Sequence, residues 1–157
     1  MPPIGGGHAG HHHRVRKYLT TRYDDRFVIF GQSTLVLAEG FAVDPDLAVF
    51  RDRPDSYAHA EYLRAEDCLL VVEIADSSIA YDTGDKAGFY AAAGIPEYWV
   101  VDVRQRELAH FAEPGPAGYR AKRTHEVEAS FSSPLLGLVS VGDLFPPPPP
   151  EADPPKT

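Results

Sequence analysis

Apolar residues are spaced along this chain in two rhythms. Between His12 and Tyr23, Val15, Tyr18 and Leu19 fall among Arg14, Arg16, Lys17 and Arg22, the three-and-four spacing of a helix that docks one stripe. Short runs rich in β-branched and aromatic residues follow: RFVIFG at 26–31, STLVLAEG at 33–40 and DLAVFR at 46–51. Each is closed by Gly, Pro or charge and predicts a strand. The polar stretch 51–67, with one proline, predicts a surface loop with a helical turn.

The densest pattern lies between Leu69 and Asp102. LLVVEI at 69–74 is almost continuously apolar, as a strand buried on both faces would be, and YWVVDV at 98–103 is a second such run with Trp99 as a core residue. Between them the punctuation is helical: Asp82 as N-cap, Asp85 in capping-box position, Gly94 and Pro96 as the stop. Asp82, Lys86 and Tyr90 are four residues apart and share one helix face, while Gly84 and Gly88 let that backbone approach the sheet. Two strands joined through a helix are parallel, with a right-handed crossover. After them come an outer strand within 104–114, one more hairpin at 118–127 and a weak final strand at 137–141.

The ends have other compositions. Residues 1–10 are rich in Pro and Gly and predict a disordered arm; 146–157 form an extended, proline-rich tail; 11–145 remain as one folded domain. A length of 157 residues suits a single domain, and 43% hydrophobic with 24% charged residues is ordinary for a soluble globular chain. No run approaches the roughly 20 apolar residues of a membrane span, and the start has no apolar segment of a secretory signal. The single Cys68 excludes an internal disulfide framework and a C-x-x-C motif, which makes a cytoplasmic location the expectation.

A formal net charge of −8 argues against nucleic-acid binding through an overall positive field. Arg14, Arg16, Lys17, Arg22 and Arg26 cluster near the N-terminus and read as a solvated helix face, with a phosphate track as the alternative. His8, His11, His12 and His13 cannot all face one ion from adjacent positions, so they too are expected in solvent rather than in a structural metal site.

Chemistry enters with Glu73. An ionised carboxylate inside an apolar strand costs several kcal/mol unless a partner or an ion meets it, and the alternative is a solvated position at the strand end. If strand 46–50 pairs antiparallel with strand 69–74, Asp46 meets Glu73, and Lys86, one turn into the helix that starts from the same edge, reaches both. Two carboxylates and an ammonium at one sheet edge suit metal-assisted hydrolysis: oxygen ligands for Mg²⁺, with the lysine orienting water and offsetting phosphate charge. Taken singly, Asp82 reads as a cap and Lys86 as an exposed lysine.

The ordered set Pro45-Asp46, VVEI at 71–74, DSS at 76–78, Asp82, Lys86, Tyr90 and AGIPEYWVVD at 93–102 resembles the Uma2 family of restriction-endonuclease-like proteins, within the PD-(D/E)XK nuclease superfamily. The resemblance runs from the first helix to about Leu144 and is densest over Glu73 to Asp102. It implies an α/β fold: a restriction-endonuclease-like mixed sheet flanked by helices, with extra antiparallel strands. It also implies Asp46, Glu73 and the backbone carbonyl of Ile74 as ligands of Mg²⁺, with Mn²⁺ as a substitute. The superfamily's lysine would fall at Ala75 and is expected to have migrated to Lys86, with Asp82 and Tyr90 supporting. Family members usually carry another acidic hairpin ahead of the first helix, a feature not evident here. The expected activity is endonucleolytic cleavage of DNA by a homodimer without membrane association. The other class of function is a catalytically degenerate binding module on the same fold.

Overall fold

The computed structural model describes residues 5–156. In chain order its elements are α1 (Gly6–Tyr23), β1 (Phe27–Gly31), β2 (Leu35–Ala38), β3 (Phe41–Val43), β4 (Leu47–Arg51), β5 (Leu63–Arg64), β6 (Cys68–Ala75), α2 (Ile79–Thr83), α3 (Asp85–Ala92), β7 (Glu97–Asp102), β8 (Glu107–Gly115), β9 (Gly118–Glu126), β10 (Ser130–Ser133) and β11 (Gly137–Ser140). Short 3₁₀ turns precede β6 and follow β11.

Six strands form one mixed sheet in the order β1-β4-β6-β7-β8-β9. The β6–β7 pair is parallel and the other pairs are antiparallel. The parallel pair needs a crossover, which α2 and α3 supply. A small sheet, β3-β2-β5, and the β10–β11 hairpin complete the strands.

Side-chain parity divides the interior. From β6, Leu70, Val72 and Ile74 join Val15, Leu19 and Trp99 in the core under α1, and Val71 and Ala75 join Ala87, Tyr90 and Tyr98 in the core under α3. Withdrawing a large apolar side chain from water contributes about 1.5–3 kcal/mol, so the continuous apolar run of β6 is the signature of being covered twice. Against β4 the register is Leu47↔Val72 and Ala48↔Val71, then shifts between Val49 and Phe50. Leu69, in the place skipped by that shift, is only half-buried.

Several expectations are corrected. Helix α1 starts at Gly6 rather than near His12, so residues 6–10 of the expected arm are helical; the expectation for residues 1–4 lies outside the described residues. Gly6, Gly7 and Gly10 each cost a helix about 1 kcal/mol against alanine, while His12 bonds the Asp46 carbonyl (2.9 Å) and His8 stands beside the Asp46 carboxylate. The histidine cluster is therefore not a solvent-facing set: His8, His11 and His12 are partly buried, and only His13 is exposed. Asp82 is no N-cap, because it lies inside α2 with its N–H already donated to the Ser78 carbonyl (2.9 Å).

The crossover helix is in fact two pieces. The break falls at Gly84, where a Cβ would stand 2.8 Å from the Ala80 carbonyl oxygen. Gly88 has nothing within 4 Å of its would-be Cβ, so the expected close approach there does not occur. Gly94, at φ +77°, ends α3 as the sequence indicates. The strand expected to be outermost, β8, is covered by β9. Residues 146–156 have no secondary structure, and Arg106 holds the Pro146 carbonyl at their start (3.2 Å). Among the described residues no helix is long and apolar enough to cross a membrane.

Candidate active site

The antiparallel register that sets Leu47 opposite Val72 brings Asp46, one residue before β4, beside Glu73. The two are tied reciprocally: the Asp46 N–H donates to Glu73 Oε1 (3.0 Å), and the Ile74 N–H donates to Asp46 Oδ2 (2.7 Å). Parity turns Glu73 toward the α3 face, where Lys86 bonds its Oε2. Lys86 also stands 3.6 Å from Asp82 Oδ1, one helical turn back across the Gly84 break. Asp82 accepts the Ser78 hydroxyl (2.6 Å), and the Tyr90 hydroxyl reaches Glu73 Oε1 at 3.5 Å, the limit of a useful bond.

Burial is what charges this cluster with consequence. Glu73 is 3% exposed. Withdrawal from water pushes its carboxyl up to about 7; Lys86 pulls against that shift and Asp46 adds to it. For Lys86, burial draws the ammonium down, but Glu73 and then Asp82 and Asp46 more than reverse this, leaving it above an ordinary lysine. Both directions describe one pair that holds its protons tightly. Lys86 is thus fixed as a cation and a donor, which suits charge stabilisation rather than proton abstraction. Burial first, with neighbouring acids, also raises the Tyr90 hydroxyl, so it acts only as a neutral donor.

A cavity of about 280 Å³ opens over the cluster, lined among others by Asp46, Glu73, Ile74, Asp82, Lys86 and His8. Asp44 and Asp76 also line it but are engaged elsewhere, Asp44 by the Thr34 hydroxyl (2.5 Å) and Asp76 by Arg104 (2.7 Å). Oxygen donors predominate, the chemistry of a hard divalent cation. Among the described residues no three His, Cys, Asp or Glu side chains converge on a single point. Magnesium does not require that, since it keeps several waters and uses one or two carboxylates. The donor set therefore fits such an ion, with Asp46, Glu73 and the Ile74 carbonyl as the protein oxygens on offer.

A family model described as "Uma2: Putative restriction endonuclease" matches residues 1–141. The chain belongs to the Uma2 family. Its fold is also that of a solved structure described as a putative nuclease belonging to DUF820 from Anabaena variabilis ATCC 29413, with a TM-score of 0.66 and 15% sequence identity over 92% of this chain and 83% of that one. A search of curated proteins finds no match. The Uma2 assignment and the restriction-endonuclease-like mixed sheet expected from the sequence both stand.

All of Asp46, Glu73, Lys86, Asp82 and Tyr90 come together, as their spacing suggested. Asp102, which ends the second buried run, is spent instead on its own turn, accepting the Arg104 and Gln105 N–H groups (3.1 and 3.0 Å). His8 was missed. Its Nε2 lies 3.6 Å from Asp46 Oδ2, and His12 Nε2 donates to the Asp46 carbonyl (2.9 Å). Their i,i+4 spacing was the available signal. His11 turns elsewhere, edge-on to Phe145 at 5.8 Å between ring centroids.

Proposed function

We propose that this Uma2 member is a divalent-metal-dependent endonuclease that hydrolyses a phosphodiester bond of DNA. The observation that carries the reading is the buried Glu73 held between the partly exposed Asp46 and Lys86 in the lining of an open cavity. Asp46, Glu73 and the Ile74 carbonyl would hold Mg²⁺, or Mn²⁺ in its place. A bound ion there supplies Lewis-acid polarisation of a phosphoryl oxygen and a more acidic water. Lys86, kept protonated by its acidic neighbours, donates toward the charge that develops on the phosphate. Asp82 and Tyr90 support the pair: Asp82 Oδ1 stands 3.6 Å from the Lys86 ammonium, and the Tyr90 hydroxyl reaches Glu73 Oε1 at 3.5 Å. Two copies of the chain cutting opposite strands would give a double-strand break, and sedimentation at high concentration tests for that dimer.

Plasmid DNA incubated with Mg²⁺ or Mn²⁺ is the direct test. The wild-type chain is expected to nick and linearise it, and Asp46→Ala and Lys86→Ala to lose about 10²–10³-fold in rate. Equal cleavage by all three, or none under any condition, would overturn the reading.

A further inference from the structure

The first two turns of α1 reach the candidate site from outside the sheet. His12 fixes the helix there by donating to the main-chain carbonyl of Asp46. Its i−4 neighbour His8 then falls beside the Asp46 side chain, with Nε2 3.6 Å from Oδ2, and lines the same cavity as Glu73 and Lys86. The His8 side chain is 19% exposed and that of Asp46 17%, so both are largely withdrawn from bulk water while lining the cavity. Two adjacent donors on one octahedral ion at about 2.1 Å stand about 3 Å apart. The His8–Asp46 gap therefore needs a shift of only about half an ångström, within reach of side chains on a helix's first turns.

Glu73 is less free to turn, because Lys86 and the Asp46 N–H occupy its oxygens. A ligand from α1 would complement Asp46 where Glu73 is already engaged. Imidazole nitrogen is softer than carboxylate oxygen, and a mixed nitrogen–oxygen set moves preference away from Mg²⁺ along the divalent series.

We propose that His8 is a nitrogen ligand of the divalent ion at this site, and that the site consequently selects Mn²⁺ over Mg²⁺. The proposal rests on the reading of Asp46 and Glu73 as metal ligands, and its test separates the two. Untagged protein is loaded with one equivalent of Mn²⁺ and studied by electron spin-echo modulation, which detects a directly bound ¹⁴N. Titration calorimetry with Mn²⁺ alone and with Mg²⁺ alone accompanies it.

The wild-type chain is expected to show imidazole modulation that disappears in His8→Ala and persists in His13→Ala, the exposed histidine. Mn²⁺ affinity should fall at least about tenfold in His8→Ala, while Mg²⁺ affinity changes less than about threefold. Mn²⁺ binding that is lost in Asp46→Ala but shows no ¹⁴N modulation in the wild-type chain overturns the role of His8 and leaves the parent reading standing. Binding that survives Asp46→Ala is adventitious capture by surface histidines and overturns both. Modulation that persists in a folded His8→Ala also overturns the role of His8, and its absence from the wild-type spectrum does so even if His8→Ala folds poorly.

Discussion

The carboxyl of Glu73 is the residue on which most depends, because its position is set by the apolar parity of β6 and its charge by what that position excludes. Raised to about 7 by burial, it binds a proton more tightly folded than unfolded, where an ordinary value near 4.5 applies. Native protein then carries more protons than unfolded protein between those two values, so this group's stabilisation is complete below about 4.5 and fades as pH rises through about 7. In chelator, the urea midpoint of the wild-type chain should decline from pH 5 to pH 8, and Glu73→Gln, which keeps the shape without the charge, should flatten the decline. Parallel pH curves for the two proteins would show that Lys86 keeps Glu73 ionised throughout. A second buried acid, Glu97, shows the contrast: Ser133 (2.8 Å), Trp99 (2.7 Å), His110 (3.0 Å) and the Leu135 N–H (3.2 Å) all meet it, and that full set of partners marks a structural node.

The break between α2 and α3 is the element that aims Lys86. Gly84→Ala places a methyl 2.8 Å from the Ala80 carbonyl oxygen, a backbone atom that cannot swing aside. Overpacking of this kind costs about 1–3 kcal/mol. A lowered thermal midpoint is expected, with a larger proportional loss of cleavage than Gly88→Ala, whose methyl meets nothing within 4 Å. Equal behaviour of the two variants would mean that the break is incidental. The strands beside this crossover were legible in the sequence because a doubly covered strand writes its burial as a continuous apolar run. The pairing of β4 with β6 was only a condition in the sequence, and it is that observed register which makes Asp46 meet Glu73. The first turns of α1 were not legible. GGHAGHHH has no apolar rhythm, and what orders it is a contact made by His12 with a carbonyl 34 residues away. Asp82 misled for a related reason: aspartate caps helices often, but here Ser78 starts the turn and Asp82 bonds back to it. Nothing local in the sequence announces that Glu97 will find Ser133, 36 residues on.

At the scale of the whole molecule, charge sets the terms on which the proposed DNA substrate could approach. The chain carries a net −8, and the cavity is lined by Asp44, Asp46, Glu73, Asp76 and Asp82 against Lys86 and His8. An apo cavity of that sign repels a phosphodiester, and fields focused in a cleft act beyond contact distance. Three basic side chains of α1 do not remove this difficulty: Arg14, Lys17 and Arg22 line a separate hollow with Asp143, and Arg22 already stands 3.4 Å from Asp143. DNA binding should therefore require the divalent ion as well as cleavage. With Lys86→Ala, which on the proposed mechanism cuts slowly, fluorescence anisotropy on a labelled duplex at fixed ionic strength is expected to show at least about tenfold tighter binding in Mg²⁺ or Mn²⁺ than in chelator. Each phosphate neutralised steepens the dependence of log affinity on log salt by about 0.9. A chain with so few free cations near its cavity should show a slope of magnitude below about 4. Tight binding in chelator with a steep salt slope would instead locate the DNA on the basic flank of α1, away from the carboxylates, and would favour the non-catalytic binding module over the nuclease.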